Sequence, residues 1–297
     1  MLRIIADSTC DISKEDARKM GIQIVPISVR FGDEEFLDGV EITHEEFYTR
    51  LAECDELPKT SQPSPDTFMK VFNEAVAAGD DVLGIFISSD LSGTYQSACL
   101  AALDVEEETR KKLYMVDSRS ASIGTALLIR EAVKLRDAGV NVSDIAAACT
   151  EMSKYIKLTA VVGSLKYLKM GGRLSGAAAF AGTMLHITPV VSIEDGKVVV
   201  IGKTRGKKAA EKLMHDKLIK DGLSLTRDFM FGHINCSESL ETFINKSLTY
   251  ISDVNGNVGV SSIGCSVGTH VGPGTFGIAY VEAAESGMNR ESIVKTA

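Results

Sequence analysis

The chain has 297 residues, 44% hydrophobic and 24% charged, enough to bury a core in one large domain or two ordinary ones. Its formal net charge of −8 works against attraction to phosphate backbones, so nucleic acid is not expected as a partner. The six cysteines (Cys10, Cys54, Cys99, Cys149, Cys236 and Cys265) show no CxxC or metal-ligand spacing, and no run reaches the roughly 18 apolar residues that span a bilayer.

The start at Met1 lacks a basic region followed by an apolar run, and the expectation is a soluble, cytoplasmic protein with reduced thiols and no metal. In chain order, β-branched apolar runs predict strands at 2–6, 22–31, 82–88, 112–117 and 159–163. Amphipathic stretches between them predict helices at 13–20, 44–52, 64–78, 92–103, 120–138 and 142–154, several opening on Ser, Thr or Asp. This alternation reads as an α/β fold, a parallel sheet flanked by helices, over residues 1–167. From residue 168 the composition shifts to MGGRLSGAAAFAGTML, which suits a glycine turn and then a closely packed helix. Residues 187–203 read as a hairpin turning at Glu194-Asp195-Gly196. Helices at 207–219 and 240–251 and strands at 229–234, 258–263 and 276–281 complete a smaller mixed α/β domain, 168–297.

Five segments carry polar residues in positions suited to a ligand. PKTSQPSP (58–65) is a loop braced by Pro63 and Pro65; Ser64 before Pro65 reads as a helix cap, which leaves Thr60 and Ser61 without a capping role. ISSDLSGTY (87–95) follows an apolar strand and opens a helix, where free N–H groups and Ser92 can meet an anion and Gly93 lets the backbone approach; a capping Ser92 is the plainer alternative. Carboxylate and phosphate suit that loop equally, but no GxxxxGK[ST] or GxGxxG run supports a nucleotide. KMGGRLS (169–175) aims Arg173 from a Gly-Gly turn, toward an acid or as a tie between domains. KTRGKK (203–208) is a solvated basic face or a docking patch for a partner or phosphate. In GTHVGPG (268–274), His270 reads as a loop residue among glycines.

Together, in this order, these segments resemble the DegV family of bacterial fatty-acid-binding proteins, the FakB-type acyl carriers that serve fatty acid kinase. The likeness rests on DSTCD (7–11), Phe47-Tyr48, KTSQPS (59–64), SSDLSGTY (88–95), VDS (116–118), GGRLS (171–175), Lys203 with Arg205, and THVGPG (269–274). Cys10 departs from the small residue expected in the first of these. The resemblance implies a lipid tunnel between or within the two domains. A long-chain fatty acid would be its ligand, with the carboxylate held by Thr60, with Ser61 beside it, and by Ser92 at the Gly93 turn, supported by Arg173 and His270. It further implies that Arg205 faces a fatty acid kinase catalytic subunit, that no cofactor is needed, and that a transient membrane contact serves lipid exchange.

Physical chemistry is compatible with that reading, since a buried carboxylate needs hydrogen bonds in place of water and the tail gains roughly 0.8 kcal/mol per buried methylene. The chain is accordingly expected to be a carrier without its own catalytic centre. One rival is a hydrolase with Ser92 as nucleophile and His270 as base, although Ser92 lies in LSGT and not in a GxSxG elbow. The other is a regulator that holds lipid as a signal or filler.

Overall fold

A computed structural model describes residues 1–176, 187–222, 224, 226–248 and 256–283. The chain opens with β1 (Leu2–Asp7), a 3₁₀ turn (Ser8–Cys10), α1 (Lys14–Met20), β2 (Ile22–Val25), β3 (Ser28–Phe31), β4 (Glu34–Leu37), α2 (His44–Glu53) and β5 (Lys59–Ser61). It continues through α3 (Pro65–Ala77), β6 (Asp81–Phe86), α4 (Thr94–Thr109), β7 (Tyr114–Asp117), α5 (Ile123–Asp137), α6 (Val142–Met152), β8 (Ile156–Val161) and α7 (Lys166–Met170). The remaining elements are β9 (Thr188–Glu194), β10 (Lys197–Thr204), α8 (Lys207–Asp221), β11 (Phe229–His233), α9 (Ser237–Leu248), β12 (Val258–Ser262), α10 (Cys265–Val271) and β13 (Phe276–Val281).

Among the described residues the strands form three sheets. β2-β1-β6-β7 is parallel throughout, the expected α/β sheet. β4-β3-β5 is a small antiparallel sheet. β10-β9-β8-β13-β11-β12 is mixed, with only β11 and β12 parallel. Helix α5 packs against strands of both large sheets and is buried on nearly every face, as expected of a helix between two layers.

Several expectations change at this level. The single strand expected at 22–31 is broken by Pro26, which has no N–H for a ladder, so β2 stays in the parallel sheet while β3 starts the small one. The strand expected at 159–163 is β8, inside the six-stranded sheet and antiparallel to both neighbours. The loop around 58–65 contains β5, because Lys59–Ser61 finds β3 as a partner. The hairpin turn holds: Asp195 and Gly196 both have positive φ, 48° and 80°, between β9 and β10. The Gly-Gly turn follows α7, with Gly172 at φ 72°, while most of the helix expected after it, 177–186, lies outside the described residues.

Candidate functional site

The C-terminal ends of the parallel strands point toward the six-stranded sheet, and a cavity lies between them. Its empty space, counted together with its opening to solvent, is about 1060 Å³. Alternation along the strands supplies one wall: Leu158 and Ala160 from β8, and Val191 and Ile193 from β9, are two-residue steps facing the same way. The opposite wall comes from the turns after β1, β6 and β7, where open α/β sheets place ligands, and from α10.

The polar groups gather toward one part of this apolar space. Register in the small sheet pairs Val29 with Thr60 and Ser28 with Ser61; Val29 is fully buried, so Thr60 turns inward and Ser61 outward. Thr60 Oγ1 lies 2.9 Å from His270 Nε2. Arg173 is fixed by two carbonyls, its Nε donating to Leu91 O at 3.1 Å and its Nη1 to Gly171 O at 2.6 Å. Ser92 Oγ meets Thr94 Oγ1 at 2.8 Å and accepts weakly from Thr94 N at 3.3 Å. Thr60, Ser92, Arg173 and His270 all line the cavity, with Gln62 beside them. A second, outer cleft of about 1080 Å³, counted with its opening to solvent, also reaches Thr60, Arg173 and His270, so these three side chains form a partition between the two spaces.

Burial drives the His270 imidazole down to about 4, with the Arg173 charge adding to the effect. The ring is therefore neutral near pH 7. Its Nδ1 is buried and has no partner among the described residues, so no carboxylate orients the ring as a hydrolase would require. Burial lowers Arg173 as well. The site thus combines a guanidinium, hydroxyls and a neutral imidazole beside an apolar space, an arrangement able to hold an anionic head with a long tail.

Helix α10 was unexpected. His270 is on a helix bounded by Gly264 and Gly272, not in the glycine-rich loop that the sequence predicts. Gly268 is required inside it because a Cβ there would overlap the Tyr48 hydroxyl, which itself donates to Ile263 O at 3.0 Å. The helix start is held by two buried acids. Asp38 accepts from Cys265 N at 3.2 Å and Ser266 N at 3.1 Å, and Asp11 accepts from Gly264 N at 2.8 Å. Asp7 ties the β6 turn by accepting from Ile87 N at 2.9 Å. Burial raises the carboxyls of Asp7 and Asp11 above the ordinary range, against the hydrogen bonds that lower them. Asp38, His44 and Cys265 also bring one ligand-type atom each within 4.8 Å of one another, although both Asp38 oxygens already accept backbone donors.

Of the seven residues singled out by sequence, Thr60, Ser92, Arg173 and His270 are brought together at the cavity. Gly93 is the cap residue of α4, close enough to Gln62 that a Cβ would overlap its side-chain amide. Ser61 is exposed and does not line the cavity, and Arg205 is exposed on the connection from β10 to α8. Ser64 caps α3 with Pro65 at its first turn, as expected. Thr9, Gln62, Ser122 and Ser266 also line the cavity and were not singled out; only Gln62, within KTSQPS, stood in a segment already under suspicion for ligand contact.

The model of the DegV family matches residues 1–283. A DegV domain-containing protein of Clostridium perfringens is 35% identical over 290 residues, covering 95% of this chain and 98% of its own. A fatty-acid-binding DegV family protein from Thermus thermophilus superposes with a TM-score of 0.85 at 29% identity, covering 95% of this chain and 100% of its own. DegV from Bacillus subtilis, a fatty acid binding protein, superposes with a TM-score of 0.80 at 27% identity, covering 95% and 99%. Among the described residues no helix is long and apolar enough to cross a membrane.

Proposed function

The chain belongs to the DegV family, and on that premise we propose that it binds a long-chain fatty acid and presents the carboxylate to a fatty acid kinase for acyl-phosphate formation. The observation that carries this reading is the convergence of Thr60, Ser92, Arg173 and His270 on one part of a largely apolar cavity. The tail takes the space between the β8–β9 wall and α10. The head takes hydrogen bonds from Thr60 and Ser92 and the charge of Arg173, with neutral His270 and the Gly93 turn completing the surroundings. Ser61 stands on the outer side of the same strand, where it shapes the approach and not the clamp.

The chain acts as a carrier and supplies no catalytic step of its own. The outer cleft supports this division of labour, because it reaches the same three partition residues from the solvent side, where a phosphoryl donor held by the kinase has access. Arg205 is the proposed kinase contact. Lipid is exchanged through transient membrane contact in the cytoplasm, and no cofactor takes part. We also propose that residues 1–167 and 168–297 work as one unit, since the first part supplies β8 to the six-stranded sheet of the second.

Native mass spectrometry of the protein as purified tests the reading. A bound mass equal to a long-chain fatty acid is expected, reduced in an Arg173→Met variant; an empty protein that also fails to take up added palmitate would overturn it.

A further inference from the structure

The cavity contains a second set of hydroxyls that the carboxylate clamp does not use. Ser266, on α10, is 4% exposed and lines the cavity, yet its hydroxyl has no hydrogen-bond partner among the described residues. Serine and threonine in helices commonly return the hydroxyl to the carbonyl four residues earlier, as Thr269 does to Cys265 O at 2.9 Å. Ser266 does not. Its backbone N–H is held by Asp38 at 3.1 Å, so the residue is fixed while its hydroxyl is left to the cavity. His270 lies four residues further on the same helical face, roughly 6 Å along the axis.

Thr9 and Ser122 also line the cavity, and the 3₁₀ turn that holds Thr9 packs against α10. Ser122 N donates to Thr9 O at 2.8 Å, and Asp11 joins Ser122 to Gly264, two residues before Ser266. The Thr9 hydroxyl donates to Asp7 and the Ser122 hydroxyl to Asp11. With those protons engaged, both oxygens offer only lone pairs to the cavity. Ser122 reaches this position at φ 53°, a value that favours glycine, and is held there by its bonds to Asp11 and Thr9.

The donor and acceptor pattern decides what fits. Two acceptor oxygens backed by buried carboxyls, with no lysine or arginine paired to Asp7, Asp11 or Asp38 among the described residues, are wrong for a second anion. A bare methylene chain would leave the Ser266 hydroxyl unpaired in a dry space, at a cost in free energy. A neutral hydroxyl suits both needs: it donates to Thr9 or Ser122 and accepts from Ser266.

We infer that Ser266, Thr9 and Ser122 form a second polar station, one helical turn from His270, that receives a hydroxyl carried by the ligand chain near its carboxyl end. The preferred ligand is then a hydroxy fatty acid. This rests on the fatty-acid reading of the cavity and narrows its substrate class.

The test is calorimetric binding of palmitate, β-hydroxypalmitate and ω-hydroxypalmitate to the delipidated full chain and to Ser266→Ala. The wild-type protein is expected to bind β-hydroxypalmitate about five- to tenfold more tightly than palmitate, as one recovered hydrogen bond allows, with no gain for the ω-isomer. Ser266→Ala is expected to abolish that preference and to bind palmitate at least as tightly as before, since the hydroxyl that a methylene chain would leave unpaired is gone. Palmitate binding without preference, or a preference that survives Ser266→Ala, overturns the station and leaves the fatty-acid reading intact. Failure to bind any of the three acids overturns both.

Discussion

Thr60 and Ser92 offer the ligand hydroxyls from two different places in the fold, strand β5 and the turn after β6, and each can be removed without disturbing the other. Thr60→Val and Ser92→Ala are each expected to weaken palmitate binding about tenfold, the scale of one hydrogen bond to a charged group, as read by calorimetry. Unchanged affinity in both single variants and in the double variant would mean the carboxylate sits elsewhere. His270 adds a signature in pH. Its folded value, about 4, lies below its ordinary 6.5, so between these values the unfolded chain holds a proton that the folded chain lacks. Stability therefore rises with pH through that window, is fully present above about pH 6.5, and is lost as pH falls toward about 4. His270→Gln should flatten this part of the urea midpoint against pH. Parallel curves for the two proteins would show that burial of the ring does not set the slope.

Helix α10 is the element on which the site depends, because it carries Ser266 and His270 on one face and is tied at its start by Asp38. Asp38→Ala leaves the N–H groups of Cys265 and Ser266 and the hydroxyl of Ser8 without that acceptor. A loss of about 2 kcal/mol or more in unfolding free energy is expected, together with weaker palmitate binding as His270 shifts. Chemical denaturation and calorimetry on the same sample check both; a stable variant with full affinity would detach the helix start from the site. Nothing in the sequence around Asp38 points to this role, since its partners lie 227 and 228 residues away. The helix itself was also hidden, because seven residues containing Gly268 carry too little helical preference to be read locally, and only the packing of Tyr48 explains that glycine. By contrast α3 was legible at its start: Ser64 and Pro65 set its cap and first turn by local chemistry alone. Thr60 belonged to the legible group as well, but the reason it faces inward, the pairing of β5 with β3, is a long-range fact.

Across the whole molecule, the parallel sheet could be read from alternating apolar runs and amphipathic helices, whereas the six-stranded sheet could not be assembled from sequence. β13, the last described strand, lies between β8 and β11, an order set by packing and not by neighbourhood in the chain. The same separation of local from distant features divides the candidate residues into an inner set and an outer one. Arg205 is outer: it is exposed next to Gly206, whose φ of 84° opens the turn into α8, and it does not line the cavity. An exposed charge of this kind contributes little to folding, so Arg205→Ala should leave stability within about 0.5 kcal/mol and palmitate affinity unchanged. At a docking surface the same charge acts on encounter with a partner and on the salt dependence of that encounter. The expected outcome is therefore normal lipid loading with slower acyl-phosphate formation by the cognate kinase, the defect shrinking as ionic strength rises and screens the wild-type advantage. Loss of loading would place Arg205 in the service of the cavity. Phosphorylation at the wild-type rate at low salt would remove the β10–α8 connection from the kinase interface.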